Sequence, residues 1–143
     1  MASIDSYNNM YGKLVVPPAA YVATTMSAAV DMSGYESLTF LLQFAAVTDG
    51  TWNPVLYDCD TLGGVYAVVP TEATTVNGYF GVIGTPPTVT NPNSNYLYRL
   101  GYCGTKQFVK LYVVMTVGGT ASFFSLAVQG DPRKGPTPAQ VNP

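Results

Sequence analysis

The chain contains no histidine. That absence removes the commonest general base, the serine and cysteine triads that rely on it, and almost all zinc enzymes. Charge is scarce as well. Eight acidic and six basic residues make up 10% of the 143 positions, against roughly 25% in an ordinary soluble domain. No basic run occurs and the formal net charge is −2, so the electrostatic footprint of a nucleic-acid binder is missing. No apolar stretch reaches the roughly 20 residues a membrane helix needs. A secretory leader is not expected, because Asp5 stands where a basic segment belongs and Pro17-Pro18 interrupts the early apolar stretch. Synthesis and first folding are expected in a cytosol. The two cysteines, Cys59 and Cys103, are expected to be reduced, buried core thiols rather than a disulfide.

Catalytic motifs are missing too. No GxSxG elbow, phosphate-cradling loop with Lys, or dinucleotide fingerprint is present. Gly78, Gly81 and Gly84 are spaced by threes, but their strand-and-turn setting has no phosphate logic. Asp58 and Asp60 flank Cys59; two carboxylates without further oxygen ligands make a poor cation site, so they are expected to be solvated turn acids. Asp31 and Glu36 are expected to be loop charges for the same reason. The expectation is a protein with no catalytic residue, no cofactor and no metal.

What is present is apolar and hydroxyl-rich. Hydrophobic residues are 48% of the chain, and eleven are tyrosine. A folded monomer of this mass exposes roughly 7,100 Å², far more than fourteen charges can solvate. Aromatic residues are enriched and Lys and Glu depleted where proteins meet, so the surface is expected to be partly covered by other protein.

Helix periodicity is nearly absent, and alternation dominates. Residues 36–46 place Leu38, Phe40, Leu42 and Phe44 on one face. Residues 106–117 place Val109, Leu111, Val113, Met115 and Val117 opposite Phe108, Lys110, Tyr112, Val114 and Thr116. Residues 121–129 align Phe124, Leu126 and Val128 as a core face. This period of two marks strands with one side in a core. Gly118-Gly119 predicts a hairpin between the last two long strands. Asp49-Gly50 predicts a chain reversal, Gly63-Gly64 a further turn, and residues 84–95 a long surface loop. Shorter strands are expected at 27–32, 52–60, 65–69, 79–83 and 96–103.

About eight strands at this spacing predict an all-β, single-domain antiparallel sandwich. Trp52 precedes both cysteines, which breaks the immunoglobulin order and favours a jelly roll. The sandwich is placed at 24–129. An extended N-terminal arm (1–23) precedes it and a Pro-rich C-terminal tail (130–143) follows. Candidate interface residues are Tyr7, Tyr11 and Tyr21 in the arm, Tyr96 and Tyr98 on a strand, and Arg133 and Lys134 at the root of the tail. Tyr96, Tyr98 and Tyr102 share a strand face and offer an alternative use as a sugar-stacking platform.

IDSYNN near the start, DMSGYESLTFLLQFAAVTDGTW, LGYCGTKQFVKLYVVMTVGGTA and the closing QGDPRKGP together resemble a group of small tailed-bacteriophage virion proteins. The matching segments are Gly34 to Phe40, Gly101 to Leu111 and Gly130 to Pro136, with Gln107 and Lys110 where that pattern has Arg. The likeness runs the length of the chain and is weakest over 52–95. It implies a capsid decoration or cement subunit on the outside of the phage head, assembled in the host cytoplasm. Its expected partners are the major capsid protein and itself, as a homo-oligomer (a trimer), with no nucleic acid and no membrane. A head-completion, tail or fibre-associated protein, or a carbohydrate-binding module, are the alternatives.

Overall fold

The computed structural model describes residues 10–70, 82–83, 88–91 and 95–132. The regular elements there are all strands: β1 (Met10–Tyr21), β2 (Thr25–Met26), β3 (Val30–Asp31), β4 (Tyr35–Val47), β5 (Thr51–Cys59), β6 (Ala67–Val68), β7 (Val82–Ile83), β8 (Leu97–Tyr102), β9 (Phe108–Val117) and β10 (Ala121–Pro132). They form two sheets, a front sheet ordered β1-β10-β4-β8-β7 and a back sheet ordered β2-β9-β5-β6, with β3 also on β9. All pairings are antiparallel.

The pairs nest. β1 lies beside β10, β2 and β3 beside β9, β4 beside β8, and β5 beside β6. The chain is thus a long antiparallel ribbon rolled until β10 meets β4 and β9 meets β5. That is a jelly-roll-like sandwich, the arrangement favoured above because Trp52 breaks the immunoglobulin order. β2 and β3 are one strand broken at Ser27, whose N–H donates to Leu111 O (2.8 Å) and whose Oγ accepts from Leu111 N (2.9 Å).

The alternation of β4 works as expected: Leu38, Phe40, Leu42 and Phe44 are all buried between the sheets. Trp52 and Leu56 of β5 face them from the back sheet, with Val109, Leu111 and Val113 of β9. Met115 is partly buried, while Val117, expected in the same row, is exposed where β9 runs out past the core.

Other expectations change as well. The Gly118-Gly119 turn does not close a hairpin, because β9 and β10 belong to different sheets; it carries the chain from back to front. The Asp49-Gly50 loop makes the opposite crossing, and the two loops stack. Thr48 N donates to Thr120 O (2.9 Å), and a Cβ on Gly119 would stand 2.2 Å from the Asp49 backbone. Gly50 adopts φ +88° in the same place.

The second change is the face of β10. Ala121, Phe123, Ser125, Ala127 and Gln129 point inward, and Phe124, Leu126 and Val128 point outward. Large side chains already fill the layer from β4 and β5, so the inner row of β10 is mostly small. Its buried polar groups are satisfied: Ser125 Oγ donates to Leu41 O (3.0 Å) and Gln129 Nε2 to Asp31 O (2.7 Å). The third change is at the ends. Residues 10–21, expected in an arm, form a strand of the front sheet beside β10, and β10 itself runs on to Pro132. The outer parts of both proposed arms, 1–9 and 133–143, lie outside the described residues. No disulfide joins the two cysteines, but Cys103 is exposed and Cys59 only half-buried, so neither is the buried core thiol expected.

Candidate functional site

The predicted tyrosines do not form one patch. Tyr21 closes one end of the sandwich: its ring stacks on Phe123 (4.4 Å) and its hydroxyl donates to Pro17 O (2.6 Å). Burial pushes its hydroxyl above the usual tyrosine range. Phe123 meets Phe44 (5.1 Å), Phe44 meets Tyr98 edge-on (6.1 Å), and Tyr98 meets Tyr96 (6.3 Å). Tyr21 and Tyr98 therefore cap an aromatic core, and Tyr96 is the exposed member. Tyr11 is at the other end of β1, stacked on Tyr35 (6.4 Å). Tyr7, Arg133 and Lys134 lie outside the described residues.

The three-tyrosine platform on β8 is not formed. Tyr102 is buried because it faces Leu38 across the ladder, and its hydroxyl is fully engaged. It donates to Asp58 Oδ2 (2.9 Å) and accepts from Lys106 N (3.0 Å). Gly104 is required there, since a Cβ would collide with the Tyr102 ring at 2.2–2.5 Å. Tyr102→Phe leaves both partners without that oxygen and is expected to cost about 1–2 kcal/mol, measurable by urea unfolding.

Two surfaces stand out. One is the outer face of the front sheet. Register aligns Leu14, Leu126, Leu41 and Arg99 in one row across β1, β10, β4 and β8. Phe124, Gln43 and Leu97 make the next row, and Gly12, Val128, Thr39 and Gly101 the row on the other side. Leu14 is 47% exposed and Leu97 57%; Phe124, Leu41, Leu126 and Val128 are half-buried. Arg99 is the one charge in these three rows.

The other is a cleft of about 610 Å³ at the opposite end of the sandwich from the crossing loops, between the 31–36 turn and the 102–107 loop. Its walls are polar. Asp60 pairs with Lys106, which holds the ammonium above its usual pKa. Asp31 Oδ1 accepts from Ser33 N (2.8 Å) and Gln107 Nε2 (3.1 Å). Burial raises the Asp31 carboxyl, and those hydrogen bonds outweigh it and hold the group below the usual range. Asp60 is the exposed turn acid expected, paired with Lys106, whereas Asp58 is half-buried and accepts from Tyr102. Among the described residues, no three His, Cys, Asp or Glu side chains converge to hold a metal ion.

No family model matches the chain, and no curated protein matches it. Among solved structures it is similar to the Clostridium thermocellum N-terminal endo-1,4-β-D-xylanase 10B, CBM22-1–GH10 modules, complexed with xylohexaose. Identity is 9% and the TM-score 0.39, over 95% of this chain and 28% of that one. The chain thus spans less than a third of that protein, and the likeness is too slight to bring its ligand or activity here.

Neither surface was located by sequence reasoning. The outer face carried a signal in the second apolar set of 121–129, Phe124, Leu126 and Val128, assigned to the wrong side. In the cleft, Glu36 and Asp60 stand out in the sequence as loop and turn charges, but their convergence left no signal, because the lining residues come from loops far apart in sequence.

Proposed function

We propose that this protein is a non-enzymatic structural subunit of a virion, a decoration or cement protein that binds the outside of an assembled phage head. The observation that carries the protein-binding part is the apolar outer face of the front sheet, a stripe of Leu14, Leu41, Leu97 and Leu126 with Phe124 and Val128 and the single charge Arg99. A surface of that kind, on a chain with so few charges, is an association site. The identity of the partner rests on the sequence resemblance to phage virion proteins. Binding the assembled shell and not its loose subunits stabilises the shell by the binding free energy. A homo-oligomer, the trimer expected above, matches its own symmetry to that of the lattice, and extended ends multiply weak contacts through effective concentration.

The test is cosedimentation with undecorated capsids of the virus that encodes the chain. Saturable binding is expected, and Leu126→Lys should weaken it by more than about 100-fold, because the lysine would be buried without a partner. Leu126 is only half-buried in the free subunit, so the variant should fold. Absence of binding by the unaltered chain, or full binding by Leu126→Lys, would refute the proposal.

A further inference from the structure

The cleft between the 31–36 turn and the 102–107 loop includes no residue of the three outer-face rows and is not needed for shell binding. We propose that it binds a neutral oligosaccharide. Its volume, about 610 Å³, lies within the roughly 300–1,000 Å³ of small-molecule sites. A second cleft of about 240 Å³ shares Ser33 and Tyr35 with it. The shared Tyr35 stacks on Tyr11, which lines the second cleft.

The chemistry of the walls selects the ligand class. Tyr35 supplies an aromatic face for the apolar side of a pyranose, and its own packing fixes the ring. Around it stand acceptors and mixed donor–acceptors: the carboxylates of Glu36 and Asp60, the Gln107 amide and the Thr105 hydroxyl. Sugar hydroxyls both donate and accept, and this mixture answers both needs. The floor is organised before any ligand arrives. Lys106 is tied to Asp60 by its ammonium and to Tyr102 by its N–H, Gln107 to Asp31 by its side chain, and Met32 N donates to Gln107 O (2.7 Å). Asp31, Glu36 and Asp60 outnumber Lys13 and Lys106 in the two clefts, which disfavours phosphates and uronates. A lipid or other apolar ligand would strip water from the carboxylates of Glu36 and Asp60 and offer no hydrogen bond in return.

The experiment is a titration of the full chain, followed by amide chemical shifts, with linear hexasaccharides of glucose, xylose, mannose and N-acetylglucosamine, and with a hyaluronan hexasaccharide as the anionic comparator. At least one neutral sugar is expected to shift amides of 31–36 and 102–107 at millimolar concentration or below, and hyaluronan none. Tyr35→Ala should weaken that binding about tenfold, and Tyr35→Phe should keep it. The spectrum of each variant reports its fold directly. Should Tyr35→Ala lose dispersion, Glu36→Gln takes its place, with about fivefold weakening expected from one altered hydrogen bond. The inference is overturned if no neutral sugar moves these amides at about 5 mM. It is equally overturned if hyaluronan binds there as well as the neutral sugars, if the shifts fall on the outer sheet faces, or if a folded variant binds like the unaltered chain. Shell binding is read separately, so either proposal can fail without the other.

Discussion

Trp52→Ala is expected to lower the unfolding free energy by about 4 kcal/mol, the upper part of the range for aromatic truncation in a core. Trp52 is fully buried and meets Phe123 edge-on at 5.7 Å. It also joins elements that the ladders leave separate. Its backbone exchanges hydrogen bonds with Val89 (2.9 and 2.8 Å), and its indole Nε1 donates to Asp49 O (3.2 Å) in the crossing loop. Alanine removes the ring that fills the space between β5 and β10 and leaves Asp49 O without its donor. Trp52→Phe should cost much less, about 1–2 kcal/mol, because most of the apolar contact survives. Denaturation followed by far-ultraviolet circular dichroism checks both, since this is the chain's one tryptophan. A loss under about 1 kcal/mol for the alanine variant would mean that the sheets do not pack around this ring.

Gly119→Val should cost about 3 kcal/mol, with a visible loss of yield at 37 °C. The two crossing loops touch backbone to backbone at Gly119 and Gly50. A side chain there would meet Asp49 and Gly50 atoms at 2.2–2.5 Å, and these are main-chain atoms that cannot swing aside. The loops must part, which breaks the Thr48–Thr120 hydrogen bond and shifts Trp52 with Asp49. Gly118→Val is the control, because nothing lies within 4 Å of a Cβ there; it should change stability by less than about 1 kcal/mol. Thermal unfolding of the pair separates contact from propensity.

These two positions also show what the sequence made legible. The strands of 36–46 and 106–117 were readable because their two faces differ in character, so alternation alone assigns the core side. In 121–129 both faces are apolar. The buried one was decided by fit, with Ala121, Ser125 and Ala127 opposite bulky neighbours, and size complementarity across a layer leaves no periodic signal. Gly118-Gly119 was read as a hairpin because a tight Gly turn says only that the chain reverses. Whether the next strand joins the same sheet or crosses to the other depends on partners remote in sequence, here β1 and β4.

The candidate sites follow the same logic. Tyr98 and Tyr102 do share one side of β8, with Tyr96 just ahead of it. That side faces the core, however, so the row runs from exposed at Tyr96 to buried at Tyr102. The Tyr35 cleft draws on residues between 32 and 36, on Asp60 and on residues between 102 and 107, three segments brought together only by the roll of the ribbon. The apolar outer face is likewise a product of register, since Leu14, Leu126, Leu41 and Leu97 come from four strands.

The most direct test of the central proposal is an image reconstruction of the virion at a resolution that places this chain. The protein should sit on the outside of the head in copies set by the lattice. The outer face of β1, β10, β4 and β8 should be pressed against a capsid subunit or a second copy. Finding that face in open solvent, or the chain confined to roughly six or twelve copies at a vertex or tail, would contradict it.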